Sequence, residues 1–282
     1  MMLEIGKINS LRILKKVNFG LYLDGGESGE ILMPLRYVPQ DCHVDDTIDA
    51  FIYNDSEDRL IATTEIPLAQ VGDFACLKVL SVNQYGAFLD WGLSKDLLVP
   101  FREQKMTMEE GKWYIVYVYL DEESKRIAAT SKIEKHFNKE KPDYTVGQEV
   151  NLLIWTQTDI GYKAIINNEF QGILYANEIF QKLERGRKLN GFIKKIRDDG
   201  KIDLTLSKPG LEKIDDLSQR IIALLKENNG FLAVSDKSSA EHIYDLFKES
   251  KKSFKKSIGI LYKQRLIIIE DEGIRLVADK NV

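Results

Sequence analysis

Three glycine pairs constrain this chain more than any other feature. Gly6 and Gly20, Gly72 and Gly86, and Gly147 and Gly161 are each 14 residues apart. A basic residue follows the second glycine after 39, 40 and 40 residues, at Arg59, Arg126 and Lys201. Spacing held three times over means one supersecondary unit copied along the chain. The full length of 282 residues leaves room for three such units and one more domain.

Each copy reads as five short strands. The first runs are Lys7 to Leu14, Phe74 to Val82 and Glu149 to Thr156. Alternating runs follow the second glycine: Leu21-Tyr22-Leu23, Ala87-Phe88-Leu89-Asp90 and Tyr162-Lys163-Ala164-Ile165. Apolar runs come next, Ile31 to Pro34, Leu97 to Pro100 and Ile173 to Ala176. Two β-rich runs around a charged turn close each unit: Ile48 to Tyr53 with Arg59 to Thr63, Trp113 to Leu120 with Arg126 to Ser131, and Leu189 to Ile196 with Lys201 to Thr205. Alternation and β-branched or aromatic content favour strands over helices. A sheet this small would expose raw edges if left open, so closure into a barrel is expected. The glycine after Phe19, Tyr85 and Ile160 suits a tight bend at a barrel corner.

The run from Val82 to Asp90, then Leu97-Leu98-Val99 and Arg126 to Thr130, resembles an S1 domain, an OB-fold barrel that binds single-stranded RNA. The second copy keeps the aromatic-Gly-Ala-Phe pattern best; the first has Phe19-Gly20-Leu21-Tyr22, and the third, Ile160-Gly161-Tyr162-Lys163, lacks the first aromatic. None carries the histidine often found after the apolar run of S1 domains; Met33, Val99 and Leu174 or Tyr175 stand there.

After Ser207-Lys208-Pro209-Gly210 the period changes. Leu217, Ile221, Leu224 and Leu225 share one face of a helix expected from about Asp215 to Asn228, with Gly230 as its stop signal. Ser238 and Glu241 read as a capping box for a second helix with Ala240, Ile243, Tyr244 and Phe247 inward. Ser250 or Ser253 caps a third, with Phe254, Ile258, Leu261 and Tyr262 on its core side. Leu266 to Ile269 and Ile274 to Val277 read as a closing hairpin. Three helices and a hairpin resemble a winged helix, and the order of the four units is similar to the conserved virulence factor B family of bacterial RNA-binding proteins. The resemblance implies a mainly β chain: three tandem five-stranded OB-fold (S1-like) barrels followed by an α+β winged-helix domain. The expected spans are 1–66, 67–135, 144–209 and 211–282. It further implies a cytoplasmic post-transcriptional regulator of gene expression.

OB barrels hold single strands by stacking bases on exposed rings in a basic groove. Tyr85 and Phe88 match the family's stacking positions, with Lys78 on the preceding strand and Arg126 opening the last one. The matching residues of the first copy are Phe19, Tyr22 and Arg59; the third offers Tyr162 and Lys201. One ring of each pair is alternatively barrel core.

Charge is unevenly spread. The total of 40 Lys and Arg against 44 Asp and Glu gives −4, which excludes affinity for a polyanion from global charge alone. Residues 1–70 hold 6 basic and 12 acidic side chains, making the first copy a poor phosphate contact. Two basic clusters oppose it: Lys182, Arg185, Arg187, Lys188, Lys194, Lys195, Arg197 and Lys201, then Lys248, Lys251, Lys252, Lys255 and Lys256 at helical spacing. The second is either a solvated helix face or a phosphate-binding surface.

Paired catalytic acids, a Ser/His/Asp set, a phosphate-cradling loop and metal-ligand spacing are all missing from the pattern, so neither an enzyme nor a cofactor is expected. Asp198-Asp199 reads as a hairpin turn. Cys42 and Cys76 read as reduced thiols. No run approaches a membrane span, and no small-molecule substrate is evident. The expected partner is single-stranded RNA. The rivals are a winged-helix regulator of duplex DNA, and a scaffold docking a ribosome or ribonuclease through the acidic first copy.

Overall fold

The computed structural model describes residues 3–179, 182–207 and 216–277. The expected connector at 208–214, and with it the boundary between 209 and 211, lies outside the described residues. The chain divides into two compact units: Met1–Asp143, Val150–Asn190 and Arg197–Ile202 in one, Tyr144–Glu149, Gly191–Ile196 and Asp203–Val282 in the other.

The first repeat is a closed barrel of β1 (Ile8–Val17), β2 (Gly20–Asp24), β3 (Glu30–Pro34), β4 (Thr47–Asn54) and β5 (Leu60–Thr63), in the order β1-β2-β3-β5-β4. A parallel bridge between Leu32 and Ile61 closes it. The second repeat, β6 (Phe74–Asn83), β7 (Gly86–Asp90), β8 (Leu97–Pro100), β9 (Trp113–Leu120) and β10 (Ile127–Thr130), keeps that order, with β8 and β10 side by side. The third, β11 (Glu149–Thr158), β12 (Gly161–Ile166), β13 (Phe170–Tyr175), β14 (Lys188–Ile196) and β15 (Ile202–Thr205), is again a closed barrel.

The glycine ladder has a steric cause. A Cβ on Gly20, Gly86 or Gly161 would lie 2.1, 2.2 or 2.0 Å from the carbonyl oxygen of Met33, Val99 or Leu174. The β2, β7 and β12 backbones therefore approach the next strand more closely than any side chain allows. The long first strand of each barrel also shifts register at one site, between Ile13 and Lys15, Val79 and Ser81, and Ile154 and Thr156. That bulge bends the strand around the barrel.

Strand β4 departs from simple alternation. Ala50 and Ile52 face its own barrel, yet Phe51 and Tyr53 are buried too, because they join the core cluster of the second barrel. Phe51 stands edge-on to Trp91 at a ring separation of 5.6 Å. Tyr37 Oη and Ser94 Oγ lie 3.2 Å apart across the same junction, and burial pushes the Tyr53 phenol up to about 12. The arrangement recurs one repeat later. Phe74 and Ile115 leave the second barrel's core to join Phe137, Leu153 and Ile165. Asn168 completes that junction: its Oδ1 accepts from Phe74 N at 2.6 Å and its Nδ2 donates to Gly72 O and Asp73 Oδ1 at 3.0 and 2.9 Å.

His136 lies at the same junction, stacked on Tyr117 at 4.0 Å, with its Nε2 buried and unpartnered. Burial lowers its pKa, Lys135 lowers it further, and Glu103 opposes. A histidine whose folded pKa is depressed binds its proton more readily when unfolded. Its contribution is therefore complete above the unfolded value near 6.5 and is lost as pH falls. Urea unfolding between about pH 7.5 and about pH 5.5 should show this loss, and His136→Phe, which keeps a ring against Tyr117, should flatten it. An unchanged slope in that variant would place the pH dependence elsewhere.

The second unit carries α1 (Asp216–Glu227), β16 (Phe231–Leu232), α2 (Ala240–Phe247), α3 (Lys251–Lys263), β17 (Ile267–Ile269) and β18 (Ile274–Leu276), with sheet order β16-β18-β17. This is a winged-helix arrangement, and β16 went unanticipated because two residues carry no period. Leu217, Ile221, Leu225, Ile243, Phe247, Phe254, Ile258 and Leu261 form its core. Four local expectations need correction. Ala240, expected inward, is exposed at the start of α2. Ser239, not Ser238, caps α2 by accepting from His242 N, while Ser238 Oγ accepts from Ser235 N in the preceding loop. Tyr244 and Tyr262 are exposed, since Ile243 with Phe247 and Ile258 with Leu261 already fill the narrow inward stripes. Lys248 is not on α3: it ends α2 in a left-handed conformation, its N–H donating to Tyr244 O.

Candidate nucleic-acid interface

The bend at Gly86 turns one ring to solvent and sets a second beside it. Tyr85 is 64% exposed and Phe88 half-buried, cross-strand from Ser81 and Leu98. Both line a cleft of about 420 Å³ with Trp91, Lys95 and Arg126 of the second barrel and Tyr53 of the first. The predicted trio of Tyr85, Phe88 and Arg126 is thus brought together. Trp91, Lys95 and Tyr53 were not foreseen. Burial pushes the Lys95 ammonium below its ordinary value, Asp58 and Asp55 oppose, and Arg126 adds to the lowering; its Nζ donates to Asp55 O at 2.6 Å.

The same corner of the first barrel places Phe19, 58% exposed, edge-on to the half-buried Tyr22 at 6.3 Å. Lys15 Nζ lies 4.6 Å from the Tyr22 ring centre and also pairs with Glu30 at 2.5 Å. The third barrel differs. Tyr162 is only 9% exposed and turns into the barrel, the outcome dictated by its place one residue past the glycine, where Leu21 and Ala87 are also buried. The outward position there is Lys163, whose Nζ lies 5.3 Å from the Trp155 ring. Arg197 packs beside Tyr175 and donates to its hydroxyl.

The cations opening each last strand are all ion-paired. Arg59 meets Asp55 at 2.8 Å and Glu57 at 2.9 Å, and Lys201 meets Asp199 at 2.7 Å. Arg126 pairs with Asp58 of the first barrel. Lys78 is exposed on β6, paired in register with Asp90 and with Trp113, a 56% exposed ring that the repeat did not flag. Lys188, Lys194 and Lys195 are exposed on β14. The α3 lysines divide: Lys251 donates to Ser238 O at 2.6 Å and is half-buried, and Lys255 lies 3.7 Å from Asp236, whereas Lys252 and Lys256 extend into solvent.

Among the described residues, no cluster of His, Cys, Asp or Glu is placed to hold a metal ion, and no helix is long and apolar enough to cross a membrane. Both cysteines are free thiols.

Family models agree with the fold. The S1 domain model matches residues 5–65 and 71–131, the first two barrels, and the CvfB-like winged helix domain model matches 219–276. Conserved virulence factor B of Staphylococcus aureus strain USA300 is 28% identical over 291 residues, covering 98% of this chain and 96% of its own. The same protein of strain bovine RF122 / ET3-1 gives the same figures. A crystal structure of a multidomain protein with nucleic acid binding domains from Streptococcus pneumoniae aligns over 97% of this chain and 98% of its own, at 21% identity and a TM-score of 0.43.

Proposed function

We propose that this chain, which belongs to the conserved virulence factor B family, binds single-stranded RNA and acts in the cytoplasm as a post-transcriptional regulator of gene expression. The observation that carries this reading is the cleft in which Tyr85, Phe88, Lys95 and Arg126 meet. A strand that passes it stacks bases on the two rings and runs its phosphates past the two cations, the combination by which OB barrels hold unpaired nucleic acid. The exposed lysines Lys188, Lys194, Lys195, Lys252 and Lys256 supply further phosphate contacts, which select for charge and not for sequence.

The winged helix alone argues weakly for duplex DNA. Its α3 surface offers lysine, with neither Arg nor Asn to read base edges in the major groove. Titrating labelled single-stranded RNA, single-stranded DNA and duplex DNA at two salt concentrations tests the proposal. RNA should bind tightest, with an affinity that falls steeply as salt rises. A preference for duplex DNA would overturn the reading.

A further inference from the structure

In the first and third barrels the cation that opens the last strand is held by carboxylates of its own hairpin turn, Arg59 by Asp55 and Glu57, Lys201 by Asp199. The second barrel breaks this rule. Of its three turn carboxylates, Asp121 accepts from the backbone N–H groups of Glu123 and Ser124 at 2.9 and 3.2 Å and lies 3.5 Å from Arg102. Arg126 instead reaches out of its barrel to Asp58, 68 residues earlier in the chain. Asp58 lies on the acidic turn between β4 and β5, at the rim of the cleft that holds Tyr85 and Phe88.

A stacked nucleotide needs an anion-binding group at its backbone, and Arg126 stands where the cleft offers one. That place already holds an anion. We propose that the Asp58 carboxylate of the first barrel stands in for a phosphate at the second barrel's ring cleft, so that single-stranded RNA enters only by displacing Asp58 from Arg126. This rests on the reading of the cleft as an RNA site and adds its gate. The gate is a light one. Both side chains of the pair are solvent-exposed, 59% for Arg126 and 44% for Asp58, and exposed ion pairs are weak and screened by salt. A backbone phosphodiester carries the same single negative charge as the carboxylate, so the exchange is driven by the bases that stack on Tyr85 and Phe88 at the same time, while ligands without a backbone phosphate at that spot leave the pair intact. The acidic first barrel thereby sets a threshold for its neighbour.

The test uses the full chain and a labelled single-stranded RNA of about ten nucleotides. Asp58 has a φ of 62°, a left-handed conformation that asparagine accepts, so Asp58→Asn removes the charge without straining the turn. Asp58→Asn should tighten binding about two- to fivefold. Arg126→Gln should weaken binding, and adding Asp58→Asn to Arg126→Gln should then change nothing. An Asp58→Asn variant that binds no tighter than the parent overturns the gate. So does an equal gain in the Arg126→Gln background, which would mark a general loss of negative charge. Tyr85→Ala with Phe88→Ala separates the two ideas. If that folded variant binds as the parent does, the RNA site itself is misplaced. If it loses affinity while Asp58→Asn is silent, only the gate fails.

Discussion

Replacing Tyr85 and Phe88 together by alanine should lower affinity for single-stranded RNA by at least about thirtyfold. Each base stacked on a protein ring contributes about 1–3 kcal/mol, and about 1.4 kcal/mol is a factor of ten. Two independent stacks therefore span about 2–6 kcal/mol, and the half-buried Phe88 places the pair toward the lower part of that range. The salt dependence supplies an internal check. Neutral rings release no counterions, so the slope of log affinity against log salt should match that of the parent while the whole line moves down. Equilibrium titration at several salt concentrations reads both quantities. Tyr85 is largely exposed, so Tyr85→Ala alone leaves the barrel's core untouched and guards against a folding artefact. Unchanged affinity in a folded double variant would show these rings to be surface packing.

Phe51→Ala should be the most damaging single change to stability, at about 3–5 kcal/mol. Phe51 is 1% exposed and lies in the second barrel's core cluster although its backbone belongs to the first. Its loss opens a cavity against Trp91 and removes an aromatic contact that fixes one barrel on the other. Because β4 serves the core of the first barrel with one face and that of the second with the other, urea should unfold the two in one transition with a lowered midpoint. Tryptophan fluorescence, to which the buried Trp91 contributes, and far-ultraviolet circular dichroism should report the same curve. Two separated transitions, one per barrel, would show that the junction does not couple them.

The repeat made the barrels legible because a glycine under a neighbouring carbonyl tolerates no substitute. Gly20, Gly86 and Gly161 therefore mark one corner three times, and the strands around them follow. Trp113 to Leu120 was anticipated to the residue. The outward aromatics Phe19, Tyr22, Tyr85 and Phe88 followed from their offset to the same glycine. Tyr162 is an aromatic of the right type at the wrong offset: one residue past the glycine is the inward position. The cleft was invisible for a different reason. Tyr53, Asp58 and Lys95 come to it through the packing of two barrels, and no local period records such a junction. A trace of it does exist, in the unbroken apolar run Ala50-Phe51-Ile52-Tyr53, where a strand with one wet face would alternate. The lysine spacing places Lys251, Lys252, Lys255 and Lys256 on one helix but cannot tell Lys251, drawn in toward Ser238, from Lys252 in solvent.

The Asn168 latch has a consequence during synthesis. The amide of Phe74 and the carbonyl of Gly72 meet a side-chain partner in a residue that leaves the ribosome 94 to 96 positions later. At bacterial or eukaryotic elongation speeds of about 5–20 residues per second, that delay is roughly 5–20 s. The second barrel is complete only at Thr130, so for the last 38 residues of that interval, roughly 2–8 s, the two finished barrels present Phe74 and Ile115 without the full cover of Phe137, Leu153 and Ile165. The nascent chain thus emerges with an adhesive end that its own third repeat later seals, and it is during this window that a chaperone, or a second ribosome's product, finds the surface open.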